Sequence, residues 1–180
     1  MQVSRLCFLA VVLFGGLIDA GQAFARSGCT VRLGQPGVDF GTTTRGQLLQ
    51  RPLAGDAFSF GQRRVQVHVQ CEQVVPLGLE FVAPVADADS FRFGAGTLTA
   101  RVIGVRVDGR AVQWLNQGRG GASASNVLRP GDFVVPAVSG AQLEGQQMTV
   151  EVELEAQVKS AATRVSDVTR FESHGEFRLR

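Results

Sequence analysis

Tyrosine is missing from this sequence of 180 residues, and histidine occurs only twice. That scarcity removes the commonest general base and metal ligand from nearly every position. His68 alternates with valines and reads as a solvent-facing strand residue. His174 stands beside Ser173, but no Gly-x-Ser-x-Gly elbow accompanies the pair. Neighbours in one strand also point to opposite faces, which breaks up a triad. The glycine-rich residues 116–121 lack the Gly-Lys-Ser/Thr of a phosphate loop. Asp87, Asp89 and Ser90 alternate oxygen ligands without the Gly and distant Glu that complete a calcium loop. Glu151, Glu153 and Glu155 share one strand face, which reads as a solvated face rather than paired acid–base carboxylates. With no convergent catalytic set, the expectation is a protein that is not an enzyme, with neither a cofactor nor a metal.

Charge of one sign is equally scarce. The formal net charge is +2 and both signs are interspersed, which argues against nucleic-acid binding. Long apolar runs are confined to the N-terminus. Arg5 supplies a positive start, residues 6–18 are apolar or small, and Ala23-Phe24-Ala25 offers a small-x-small cleavage site. Those are the three regions of a secretory signal peptide, expected at residues 1–25. Residues before Cys29 are Arg26-Ser27-Gly28 and do not form a lipobox. The mature chain, residues 26–180, is then one domain with no further apolar run of membrane-spanning length.

Only three cysteines occur, and Cys7 falls within the signal peptide. An exported chain retaining Cys29 and Cys71 most simply pairs them in an oxidising compartment. Zinc is the alternative, but two isolated cysteines without a nearby Cys/His pair have poor metal spacing.

What the chain has in abundance is period-two alternation. Val65, Val67, Val69 and Cys71 face one way; Leu77, Leu79 and Phe81 repeat the pattern around Glu80. Met148, Val150, Val152, Leu154, Ala156 and Val158 form the clearest strand. Such strands bury one face and wet the other, and no long helical period competes with them. Asp108-Gly109 predicts a tight hairpin, and Pro130-Gly131 another turn. Between Thr97 and Val107 the apolar phase flips by one residue, predicting a β-bulge or a change of sheet. Residues 116–126 read as a Gly/Ser/Asn-rich loop. Trp114, beside Val112 and Leu115, reads as a packing residue. The fold class is an all-β sandwich.

The spacing Cys29-Thr30-Val31, Val38-Asp39-Phe40-Gly41, Val67-His68-Val69-Gln70-Cys71 resembles the opening of a chaperone-usher pilus subunit. The C-terminal alternation Phe171, Ser173, Gly175, Phe177, Leu179 resembles the final strand of that superfamily. Leu179 stands where those proteins carry an aromatic residue, and Asp167 where they carry a glycine. The resemblance implies an immunoglobulin-like sandwich lacking its last strand. It implies a chaperone and donor-strand groove between Val31/Leu33 and Phe177/Leu179, with Phe171 on the same face. Its implied partners are a periplasmic pilus chaperone, an outer-membrane usher and other pilus subunits, with a periplasmic stage before a cell-surface fimbrium. Adhesion follows as the expected role. Only Arg26, Ser27 and Gly28 would precede Cys29 after cleavage, too few for a donor strand of about ten residues. The expectation is a minor or tip subunit that accepts a strand. The rival reading is a self-complete secreted sandwich that binds a ligand such as a carbohydrate through its loops.

Overall fold

The computed structural model describes residues 28–118, 120–165 and 167–180. The expected signal peptide and its cleavage site lie outside the described residues. Along the chain come β1 (Cys29–Leu33), the one-turn helix α1 (Arg45–Leu48), β2 (Pro52–Leu53), β3 (Ala57–Pro76) and β4 (Leu79–Val82). Then follow β5 (Phe91–Phe93), β6 (Gly96–Val107), β7 (Arg110–Gly118), β8 (Gly121–Ser123) and β9 (Val127–Leu128). The chain ends with β10 (Phe133–Val138), β11 (Ala141–Gln142), β12 (Glu144–Lys159), a 3-10 turn (Ser160–Thr163) and β13 (Glu176–Leu179). Among the described residues no helix is long and apolar enough to cross a membrane.

The two strongest alternations become the two longest strands. β3 and β12 pair antiparallel from Glu144↔Pro76 to Lys159↔Ala57. Their inward residues Val65, Val67, Val69, Val150, Val152 and Leu154 belong to one buried cluster. β1 adds to the outer side of β3, and β6 to the far side of β12, giving the layer β1-β3-β12-β6. The path continues through β7, β10 and β4 to β13. From this second stretch Leu79, Phe81 and Val134 join the same cluster, so the core lies between the layers.

Local chemistry explains the turns. Val107↔Arg110 closes a two-residue hairpin in which Asp108 and Gly109 have φ of 47° and 79°. Both central residues thus take the positive φ that an Asp-Gly hairpin turn needs. The phase flip in β6 is a bulge. Glu151 pairs with Gly104 and Val152 with Val102, which leaves Ile103 as the extra residue. The change of layer occurs one strand later: Val112 of β7 pairs with β6, while residues from Gln113 onward pair with β10. Trp114 packs half-buried against the core, opposite Pro136.

Residues 116–126 depart from the expected loop. β7 runs on to Gly118 and pairs back with β8 through Asn116↔Ser123. Asn116 is buried, and its side-chain amide donates to the Val127 carbonyl at 2.6 Å. That bond satisfies the amide nitrogen, while the buried Asn116 Oδ1 has no hydrogen-bond partner among the described residues.

An immunoglobulin-type sandwich places strands A, B, E and D in one sheet and C, F and G in the other. Assigned in chain order, β1, β3, β12 and β6 are A, B, E and D, while β4 and β13 are C and F. Among the described residues no strand pairs with the outer side of β13, the position of G.

Candidate functional site

β1 and β13 end the strand path on opposite layers and face each other without a ladder between them. Among the described residues β1 has a ladder with β3 alone and β13 with β4 alone. Unpaired strand edges present rows of free N–H and C=O groups to any strand that approaches. Here the two edges also flank an opening into the core.

That opening is a cavity of about 320 Å³. Leu33 and the following residues Pro36, Val38 and Phe40 form one wall, and Phe81 and Phe177 line the other. Its floor consists of core-facing side chains of the first layer, Val65, Leu98 and Leu154. Leu33 is 40% exposed at this place, whereas Val65, Leu98 and Leu154 beneath it are buried.

Why the walls stand where they do follows from the sequence. Cys29 lies directly opposite Cys71 in the β1–β3 register, and a disulfide joins them. The ladder continues through Val31↔Val69 to Leu33↔Val67. Beyond Leu33 the chain leaves the ladder, and the Asp39 carboxylate accepts from the Gly41 N–H at 2.7 Å, an Asx turn that suits the positive φ of Gly41. On the other wall Phe177 lies opposite Phe81, the two rings 4.9 Å apart, and Leu179 lies opposite Leu79.

Of the residues expected to form a groove, Leu33 and Phe177 are brought together on the cavity. Val31 and Leu179 sit half-buried further along the same two edges, against the core and outside the cavity lining. Phe171 is a correction. It was expected on one strand face with Phe177 and Leu179, but β13 begins only at Glu176. The reason lies in its partner: β4 ends at Val82 and runs into Ala83-Pro84, and proline has no N–H to extend a ladder. Phe171 instead packs on Phe60 and Phe93, with ring separations of 5.1 and 6.4 Å.

The remaining polar candidates are dispersed. His68 is exposed, with a ring nitrogen 3.2 Å from the Thr149 hydroxyl. Glu151 and Glu153 pair with Arg64, and Glu155 accepts from Ser59. Asp87 accepts from the Asp89 N–H, which together with other hydrogen bonds holds its carboxyl below the ordinary range. Asp89 itself pairs with Arg129. Ser173 and His174 line the cavity wall outside any strand, and the Ser173 hydroxyl is buried without a hydrogen-bond partner among the described residues. No group of three His, Cys, Asp or Glu able to hold a metal occurs among the described residues.

Two residues, one beside the cavity wall and one on the far face of β4, escaped sequence reasoning. Arg63 grips the wall segment through the Asp39 and Phe40 carbonyls. Glu80 is buried on β4 and bound by Arg180. Arg63 left a trace, because it occupies the inward phase of Val65, Val67 and Val69 where an apolar residue is expected.

No family model and no curated protein matches the chain. Among solved structures it is similar to the P pilus rod subunit PapA, at 13% identity over 86% of this chain and 99% of that one, TM-score 0.44. It is also similar to a subunit of a chaperone-usher pilus described in terms of rod uncoiling, at 12% identity over 99% of this chain and 95% of that one, TM-score 0.45.

Proposed function

We propose that this chain is a pilin-like subunit of a chaperone-usher fimbria, and that its β1–β13 opening accepts a strand from another protein. The observation that carries this reading is the strand path, which supplies the positions A to F and leaves the position of G without a strand among the described residues. An incoming strand with alternating apolar residues pairs with both free edges and lowers its side chains onto Leu33, Val65 and Phe177. A periplasmic chaperone fills the place first, and a neighbouring subunit's extension fills it at the outer-membrane usher. The sequence supports the finer role. With cleavage after Ala25 only Arg26, Ser27 and Gly28 precede Cys29, so this subunit takes a strand and gives none, as a minor or tip subunit serving adhesion does.

Leu33 offers the sharpest test because it is 40% exposed and lines the cavity. Leu33→Asp should leave the fold intact yet lose co-purification with the cognate periplasmic chaperone. Strand addition there would bury a carboxylate without a partner, at a cost of several kcal/mol. Phe177→Asp should do the same, and Glu176→Gln, on the exposed side of β13, should not. Capture of a folded Leu33→Asp variant at the wild-type level would overturn the reading.

A further inference from the structure

One end of the opening is closed by aromatic rings. Phe40, from the wall that follows β1, stands 5.5 Å from Phe93, edge to face. Phe171, from the segment leading into β13, lies 6.4 Å from the same ring and 5.1 Å from Phe60. The two walls therefore converge on Phe93. An added strand can run along the β1 and β13 edges only as far as this cluster.

Phe40 is not held there by a ladder, since residues 37–44 belong to no strand or helix. It is held by Arg63 of β3. The Arg63 Nε donates to the Asp39 carbonyl at 2.9 Å, an Nη reaches the Phe40 carbonyl at 3.5 Å, and the guanidinium lies 5.7 Å from the Phe40 ring centre. A planar guanidinium suits this combination of forked donation and ring contact, which lysine cannot reproduce. No carboxylate pairs with Arg63 among the described residues. An exposed arginine in the inward phase of a valine strand, without an acid partner, is poorly explained by solubility or ion pairing.

We infer that Arg63 is a positioning residue for strand addition: by fixing Phe40 at the closed end, it sets the register in which an incoming strand lies between β1 and β13. The inference rests on the strand-accepting reading above. When the stop is fixed, only one placement puts a large side chain of the guest over the cavity. When the stop is loose, the guest can slide by two residues and keep the same face inward.

The test uses the exported protein and ten-residue peptides of alternating valine and threonine, each with one valine position in turn replaced by phenylalanine. Wild type should prefer one member of the series by about tenfold or more in Kd. Arg63→Ala should reduce that preference to about threefold or less, and Arg63→Lys should fall between. Amide exchange at Gly41, measured without peptide, should accelerate in Arg63→Ala. An unchanged preference in Arg63→Ala overturns the positioning role and leaves strand acceptance standing. Wild type binding no peptide overturns strand acceptance itself. Unchanged exchange at Gly41 removes the clasp whatever the peptides do.

Discussion

The Glu80 carboxylate accepts from the Arg180 Nε at 2.5 Å, although Arg178 is the residue directly opposite Glu80 in the β4–β13 ladder. Arg178 is engaged with Glu176 on its own strand. Arg180 therefore reaches back diagonally, while its N–H donates to the Gly78 carbonyl at 3.0 Å. The result is a buried carboxylate whose cation, among the described residues, is Arg180. The same hydrogen bond raises the pKa of the Arg180 guanidinium.

Arg180→Ala should lower the melting temperature, because it strands a desolvated carboxylate rather than merely deleting a surface charge. Adding Glu80→Gln to that variant should restore much of the loss, since a neutral amide is cheaper to bury. A double-mutant cycle by thermal unfolding checks this. Additive losses would show that the two side chains are not coupled.

The Cys29–Cys71 disulfide closes a sequence separation of 42 and ties a strand that, among the described residues, has a ladder on one side only. Replacing both cysteines by alanine should cost about 4 kcal/mol by the loop-entropy relation. Urea unfolding of the oxidised and reduced protein measures the difference. Thiol labelling of the unfolded, unreduced chain should find neither cysteine free. An unfolding midpoint that does not respond to reductant would contradict the role given to the bridge.

Two glycines of β6 should respond oppositely to alanine. A Cβ at Gly96 would stand 2.2 Å from the Gln157 carbonyl oxygen, a backbone atom that cannot step aside. A Cβ at Gly104, beside the bulge, would find its nearest neighbours at 3.8 Å. Gly96→Ala should therefore destabilise by about 1–3 kcal/mol or more. Gly104→Ala should stay within about 0.5 kcal/mol. Equal unfolding midpoints for the two variants would refute the packing argument.

How much of this was legible in the residues depends on range. The strands of Val65–Cys71 and Met148–Val158, the Asp108-Gly109 hairpin and the bulge at Ile103 need only local alternation and turn chemistry. Phe171 misled because its alternation with Phe177 is real, whereas the ladder that would use it stops where β4 ends at Val82, before Pro84. Residues 116–126 misled because their composition is that of a loop, and Asn116 becomes an interior residue only once the Val127 carbonyl is brought to it. The grip of Arg63 on Phe40 spans 23 residues, and that of Arg180 on Glu80 spans 100. Neither distance carries a periodic signal, so both became visible only in three dimensions.

The last prediction concerns direction. A chain whose β1 and β13 each carry one ladder among the described residues, with a cavity between them, should gain stability from any guest strand that fits. The gain follows linkage, about 2.7 kcal/mol when the peptide is present at a hundred times its Kd. Thermal unfolding of the protein should therefore shift upward with peptide concentration. The same protein should not polymerise with itself. The leader expected before Cys29 is three residues, while a strand of ordinary length needs about ten residues at ~3.3 Å each to span such an edge. Size-exclusion chromatography of the purified protein, alone and with a peptide copied from a partner subunit's extension, separates these outcomes. Monomer whose stability rises with peptide is expected. SDS-resistant ladders formed by this protein alone would overturn the one-way role. A high melting temperature that ignores peptide would indicate a sandwich that completes itself, and would move the search for function to its loops.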